Sequence, residues 1–280
     1  SRTGQLWVRL TGHVEGHYSL ALVNRELTRA LHKLTDGHTQ VVAFDGVPYP
    51  TPPTFEDPAD RPIDQALTSV IPAHQLEQCL SIVHHYPLIE DPEIAGFRGS
   101  LFFWEETRIP HTTVERLNAD FDAIWVASSS VKRALMNSGC STPIFVIRMG
   151  IDHVLRHESA SASQSPRRRY LHVSSAFDRK GIDCLIRAFD NAFAGNNQVE
   201  LYIKTFPNPH NAVRAQLALK QSTYPDLGPV IIDESEMSDL DLVSLYQSAD
   251  AVVLPSRGEG FNLPAAEAMA LSIPVLTTSH

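Results

Sequence analysis

Cysteine is scarce in this chain. Cys79, Cys140 and Cys184 are spread over 280 residues, and an odd, widely spaced set of thiols provides no disulfide framework. Reduced cysteines in a cytoplasmic protein are the simple reading. Long apolar runs are missing too. None approaches the length that spans a bilayer, and the opening Ser1-Arg2-Thr3-Gly4 has no signal-peptide core. Peripheral attachment at the inner membrane face stays open, but nothing in the sequence argues for it. Positive charge is also short. A net charge of −9 argues against nucleic acid as a partner, which needs a basic face, while leaving room for a small basic pocket. There is no initiating Met, and no covering helix follows the apolar run Ile273-Pro274-Val275-Leu276. The chain therefore reads as part of a longer polypeptide, with further domains of it as potential partners.

What is present is an ordinary globular composition, 43% hydrophobic and 20% charged, in a chain long enough for two cores. Apolar strands alternate with amphipathic helices, the pattern of an α/β protein with parallel sheets. In the first half, strands are expected at 5–10, 41–44, 79–84, 100–104, 123–127 and 144–147. Helices are expected at 19–34, 112–118 and 130–137, the first with Leu20, Val23, Leu27, Leu31 and Leu34 on one face. The proline-rich stretch 46–62 reads as an extended loop. Small polar residues from Arg156 to Pro166 have no apolar period and suggest a boundary. The expected organisation is a domain over 1–155, a linker over 156–168 and a second domain over 169–280. In that second domain strands are expected at 170–174, 199–205, 230–233, 251–254 and 275–278, with helices at 182–194, 212–222, 239–248 and 264–271. This is a doubly wound sheet, and such sheets bind ligands beyond the carboxyl ends of their strands.

The richest segment follows the strand Ala251-Val252-Val253-Leu254. It reads Ser256-Arg257-Gly258-Glu259-Gly260-Phe261-Asn262-Leu263-Pro264-Ala265-Ala266-Glu267. Pro264 suits the first turn of a helix, so the glycine-flexed turn at Gly260, Phe261 and Asn262 presents unpaired N–H groups that favour phosphate. Glu259 and Glu267 flank that seat, and carboxylates accept hydrogen bonds from sugar hydroxyls. A solvated turn with a dipole-favoured acid is the plainer alternative. The segment resembles the Glu-any seven-Glu motif of retaining glycosyltransferases of the GT-B fold, in particular glycosyltransferase family 4 (glycosyl transferases group 1).

Other residues extend the resemblance, which spans nearly the whole chain and is strongest over 171–278. Phe177-Asp178-Arg179-Lys180-Gly181 opens a helix, and a basic pair there supplies donors for a diphosphate. The family often has an arginine five residues before the lysine; Ser175 stands there, so either Arg179 substitutes for it or the phosphate is held differently. Lys204 ends a buried strand and needs a partner: a diphosphate or an acid such as Asp233. Thr11-Gly12-His13-Val14-Glu15-Gly16-His17 resembles the glycine loop of the acceptor domain, with Gly12, Gly16 and His13 or His17 near substrate. Trp104-Glu105-Glu106 resembles a segment of a bacterial subgroup, with Glu105 and Glu106 either lining the acceptor site or pairing with Arg108 and Arg116. Met149-Gly150-Ile151-Asp152 matches the family's Gly-Ile-Asp. His84 and His85 are adjacent on a strand, point to opposite faces and are a poor metal pair.

The resemblance implies two Rossmann-like doubly wound domains facing a cleft, the C-terminal one truncated. It implies a cytoplasmic, metal-independent enzyme with no cofactor beyond its substrate, a nucleotide-diphosphate sugar. The acceptor is expected to be a glycan or lipid-linked molecule of bacterial surface polysaccharide synthesis. Lys180, Lys204 and Glu259 are the expected catalytic residues; Glu267 is expected on the ribose. A GT-B sugar-nucleotide epimerase and a non-catalytic binding module stay open as alternatives.

Overall fold

The computed structural model describes residues 6–16, 18–44, 55, 58–89, 91, 95–157, 165–208, 210–211, 213–223 and 228–279. Contacts divide the chain into two units, Ser1–Gly150 and Ile151–His280. The division precedes the expected linker, of which 158–164 lie outside the described residues.

The first unit carries a six-stranded parallel sheet in the order β2-β1-β3-β4-β5-β6. Its strands are β1 (Val8–Gly12), β2 (Thr39–Ala43), β3 (Leu80–His84), β4 (Phe97–Leu101), β5 (Ala123–Val126) and β6 (Ile144–Val146). Its helices are α1 (Ser19–Leu34), α2 (Arg61–Thr68), α3 (His111–Asp120) and α4 (Ser129–Asn137). Val23, Leu27 and Leu31 of α1 pack on a core that includes Leu10, Val41 and Ile82, as their spacing predicts. Leu34 does not: it is 79% exposed at the helix end.

Two expectations need correction here. Residues 58–60 form a 3₁₀ turn and α2 follows, inside the stretch expected to be a loop; residues 45–54 lie outside the described residues. Pro62 sits in the first turn of α2, where it costs nothing, and Ile63, Ala66 and Leu67 are buried at helical spacing. The strand expected at 100–104 is displaced to β4. Phe102 still donates its N–H to the Trp125 carbonyl at 2.8 Å while its side chain joins the core of Val83, Ile109 and Leu117, and a side chain at Gly99 would meet the Trp125 ring.

The second unit begins with a short helix, α5 (Asp152–Leu155), absent from the sequence reading. A five-stranded parallel sheet follows in the order β11-β10-β7-β8-β9: β7 (Arg168–Val173), β8 (Val199–Lys204), β9 (Val230–Asp233), β10 (Ala251–Leu254) and β11 (Val275–Thr277). The helices are α6 (Ile182–Phe193), α7 (Val213–Thr223), α8 (Asp239–Gln247) and α9 (Leu263–Ala270). Leu185, Ile186 and Phe189 of α6 pack with Leu201 and Ile203 on one face, while Tyr246 and Ala268 pack with Leu171 and Val252 on the other.

Both sheets have a point where the winding reverses. In the first unit it lies between β1 and β3, in the second between β7 and β10. Connections leave such strands on opposite sides and open a crevice at their carboxyl ends. No helix among the described residues is long and apolar enough to cross a membrane.

Candidate functional site

In the second unit the chain leaves β7 through Ser174 to Phe177, makes a 3₁₀ turn at Asp178–Lys180 and enters α6 at Gly181. Gly181 has φ +72°, and a Cβ there would lie 2.1 Å from the Pro255 carbonyl oxygen. The turn therefore rests directly on the end of β10, an approach that only glycine permits.

The loop from β10 to α9 is zipped onto the same turn. Arg257 donates its backbone N–H to the Arg179 carbonyl at 2.7 Å, and its guanidinium reaches the Asp178 carbonyl and the Asp183 carboxylate. Ser256 Oγ lies 3.2 Å from the Arg179 carbonyl. These contacts deliver Lys180 Nζ to both oxygens of Glu259, at 2.6 and 2.8 Å. Both side chains are 13% exposed. Arg179 stands above them, its guanidinium 3.6 Å from Glu259 Oε2 and bonded to the Gly258 carbonyl at 3.2 Å.

Asn262 precedes α9 in the left-handed region at φ 64°, which Asn tolerates better than most residues. The backbone N–H groups of Glu259, Gly260, Phe261 and Asn262 donate to no other described residue. A helix N-terminus, two cations and one carboxylate thus meet at the crevice between β7 and β10. The arrangement can hold an anion on the cations and N–H groups while the acid accepts from neighbouring hydroxyls.

Beneath the pair lies His172, a residue the sequence reading missed. It is buried, with Nδ1 2.7 Å from the Val253 carbonyl and Nε2 2.7 Å from Ser174 Oγ. Burial pulls its pKa down to about 4; the hydrogen bond to Val253 opposes the shift and Lys180 adds to it. A histidine at the carboxyl end of the first strand of a doubly wound unit is the signal that could have found it.

Glu267 is separated from this cluster. It is 3% exposed, accepting from the Tyr246 hydroxyl at 2.6 Å on one oxygen and facing His153 Nε2 at 2.8 Å with the other. Burial, then the Glu267 charge, raises the Tyr246 pKa well above the usual phenol value. Lys204 is also turned elsewhere. Its ammonium bonds to the Thr205 and Ser235 carbonyls and stands 3.9 Å from Asp233. Burial lowers its pKa, against the pull of Asp233 and Glu234.

In the first unit, a Cβ at Gly12 would lie 2.1 Å from the His84 carbonyl oxygen, so β1 and β3 press together at their ends. Asn24 of α1 bridges the carbonyls of His13 and His84 at 2.7 and 3.2 Å and accepts from His84 Nδ1 at 2.7 Å. Burial, then the charges of His13 and His85, lowers the His84 pKa to about 3. His13 stacks on His85 with centroids 4.1 Å apart. Gly16 has φ +85°, and its carbonyl accepts from Arg25 at 2.8 Å; His17 lies outside the described residues. Glu105 is half-buried and Glu106 exposed. Arg116 bonds instead to the Leu88 carbonyl and faces Asp120 at 3.8 Å.

Residues 167–280 match the family model of glycosyl transferases group 1. A curated relative, the MMP alpha-(1->4)-mannosyltransferase of Mycolicibacterium hassiacum, is 27% identical over 161 residues, covering 56% of this chain and 36% of that protein. The chain thus spans about a third of that relative. Among solved structures, the alpha,alpha-trehalose-phosphate synthase (UDP-forming) of Burkholderia vietnamiensis aligns at TM-score 0.65 and 11% identity, over 99% of this chain and 84% of that one. Sucrose-phosphate synthase of Thermosynechococcus elongatus aligns at 0.63 and 16% identity, over 97% and 81%. The fold is that of the GT-B glycosyltransferases, two parallel-sheet α/β domains.

Proposed function

We propose that this chain transfers a hexose, with retention of configuration, from a nucleotide-diphosphate sugar to a glycan or lipid-linked acceptor, in cytoplasmic synthesis of bacterial surface polysaccharide. The observation that carries the reading is the Lys180–Glu259 pair beneath Arg179, beside N–H groups that donate to no other described residue, where β7 and β10 part. The match to glycosyl transferases group 1 covers this same unit.

A departing nucleoside diphosphate accumulates negative charge, and preorganised donors lower the barrier to its departure. Lys180, Arg179 and the N–H groups of Gly260, Phe261 and Asn262 supply them. This is the charge a metal would otherwise provide, so the proposed reaction is metal-independent. Glu259 accepts from sugar hydroxyls once the diphosphate shares its ammonium partner. Glu267 takes the nucleotide ribose, its carboxylate aimed by Tyr246 and His153. Lys204 joins the diphosphate by exchanging the Ser235 carbonyl for a phosphate oxygen. The first unit serves the acceptor through Gly12, His13, Gly16, Glu105 and Glu106.

A thermal-shift panel of UDP-, GDP-, ADP- and dTDP-sugars, on wild type and Lys180→Ala, tests the reading. A ligand at a hundred times its dissociation constant adds about 2.7 kcal/mol. One nucleotide series is expected to stabilise the wild type and not the variant. No shift with any of the four would refute the donor site and favour a binding module.

A further inference from the structure

We infer that His172 is a positioning residue for the proposed phosphate-facing turn: through Ser174 it fixes the backbone leading to Arg179 and Lys180, and through Val253 it ties that backbone to the strand leading to Glu259. The nucleotide arm of this inference rests on the donor-site reading above; its backbone arm does not.

The strand register sets the problem that His172 solves. β10 pairs with β7 at Ala251–Tyr170 and Val252–Leu171 and then separates, although β10 runs on to Leu254. The next carbonyl, Val253, is taken by the His172 imidazole at 2.7 Å. On the other side β7 stays paired with β8 up to Val173–Lys204. The side chain thus replaces a missing rung of the ladder where the crevice opens.

The hydrogen bonds have only one consistent direction. A carbonyl only accepts, so Nδ1 carries the proton. Burial keeps the ring neutral near pH 7, so Nε2 is a bare acceptor and the Ser174 hydroxyl must donate to it at 2.7 Å. The Ser174 oxygen then accepts the Ala176 N–H at 3.0 Å. Ala176 needs this support: it is buried, with φ +55°, a left-handed conformation that an alanine adopts only at a cost. Asn208 holds the intervening Ser175 carbonyl at 3.0 Å. Lys180 comes a few residues on, and its position depends on that loop.

Ser174→Ala breaks the relay with little change in volume; Ser174→Thr keeps the hydroxyl. Hydrogen–deuterium exchange on the full chain should show faster exchange over 174–181 in Ser174→Ala, with the thermal midpoint lowered by only a few degrees and both restored in Ser174→Thr. Unchanged exchange there would overturn the inference whether or not a nucleotide binds. Calorimetric titration with UDP and GDP supplies the second arm. Loss of one hydrogen bond's worth of preorganisation should weaken the nucleotide bound by wild type about fivefold in Ser174→Ala, with recovery in Ser174→Thr. If Lys180→Ala weakens binding and Ser174→Ala does not, the relay is merely structural and the inference falls. If Lys180→Ala is also without effect, the donor-site reading fails and the exchange result alone decides the relay.

Discussion

Glu259→Gln separates the two jobs assigned to this acid. The carboxylate binds Lys180 through both oxygens, and each partner is 13% exposed. Hydrogen bonds to charged groups contribute about 1.5–3 kcal/mol net. A diphosphate entering the turn must draw Lys180 away from that partner and meets the carboxylate's own negative charge. Removing the charge while keeping the shape should therefore tighten a bare nucleoside diphosphate by about tenfold, or ~1.4 kcal/mol. The nucleotide sugar gains the same release and loses its hydroxyl contacts to the carboxylate, so its affinity should stay near wild type. The measurable signature is the ratio of the two affinities, which should fall about tenfold against the sugar nucleotide. Calorimetric titration of UDP and a UDP-sugar, or of whichever base stabilises the chain, reads it directly. If Glu259→Gln weakens both ligands equally, the carboxylate serves only to hold Lys180 for phosphate, and its role on the sugar is refuted.

Two stability predictions follow from the same geometry. The pKa values of His172 and His84 are lowered from 6.5 to about 4 and about 3, so the folded state resists protonation that the unfolded chain accepts. Their contribution is fully present above pH 6.5 and is lost as pH falls through those folded values, by about 3 kcal/mol for His172 and somewhat more for His84. Urea titrations from pH 7 to 4 should show the decline, and His172→Asn should flatten it even if it lowers the plateau. Gly181→Ala places a Cβ 2.1 Å from the Pro255 carbonyl oxygen at φ +72°. It should cost about 1–3 kcal/mol and loosen the Lys180 turn, seen as a lower melting temperature; an unchanged midpoint would show that the turn does not need its close seat on β10.

How much of this was legible in the sequence depends on how local each feature is. The strand spans 230–233 and 251–254 coincide with β9 and β10, because a short apolar run between turn residues has little else to become. The helix α2 was hidden by the prolines around it, although Ile63, Ala66 and Leu67 already carry its period. Glu267 was visible as an acid one turn into a helix, but its surroundings were not. Tyr246 and His153 lie 21 and 114 residues away in sequence, and only the packing of α5 and α8 against α9 brings them to it.

The two lysines show where local reading stops and strand order takes over. Each ends or follows a strand of a doubly wound unit, and by pattern alone each could face a phosphate. Lys204 stands opposite Asp233 in the β8–β9 ladder, so the register itself gives its ammonium an acid on the outer side of the sheet. Lys180 follows β7, whose neighbour on the other side is β10, a strand about eighty residues further along the chain. That reversal of winding is what opens a crevice and sets Glu259 across it. A phosphate contact costs Lys180 the shared use of one carboxylate, whereas it costs Lys204 two carbonyl bonds. On that comparison we assign Lys180 the larger part of the proposed diphosphate binding, with Lys204 joining only after the β9 side has given way.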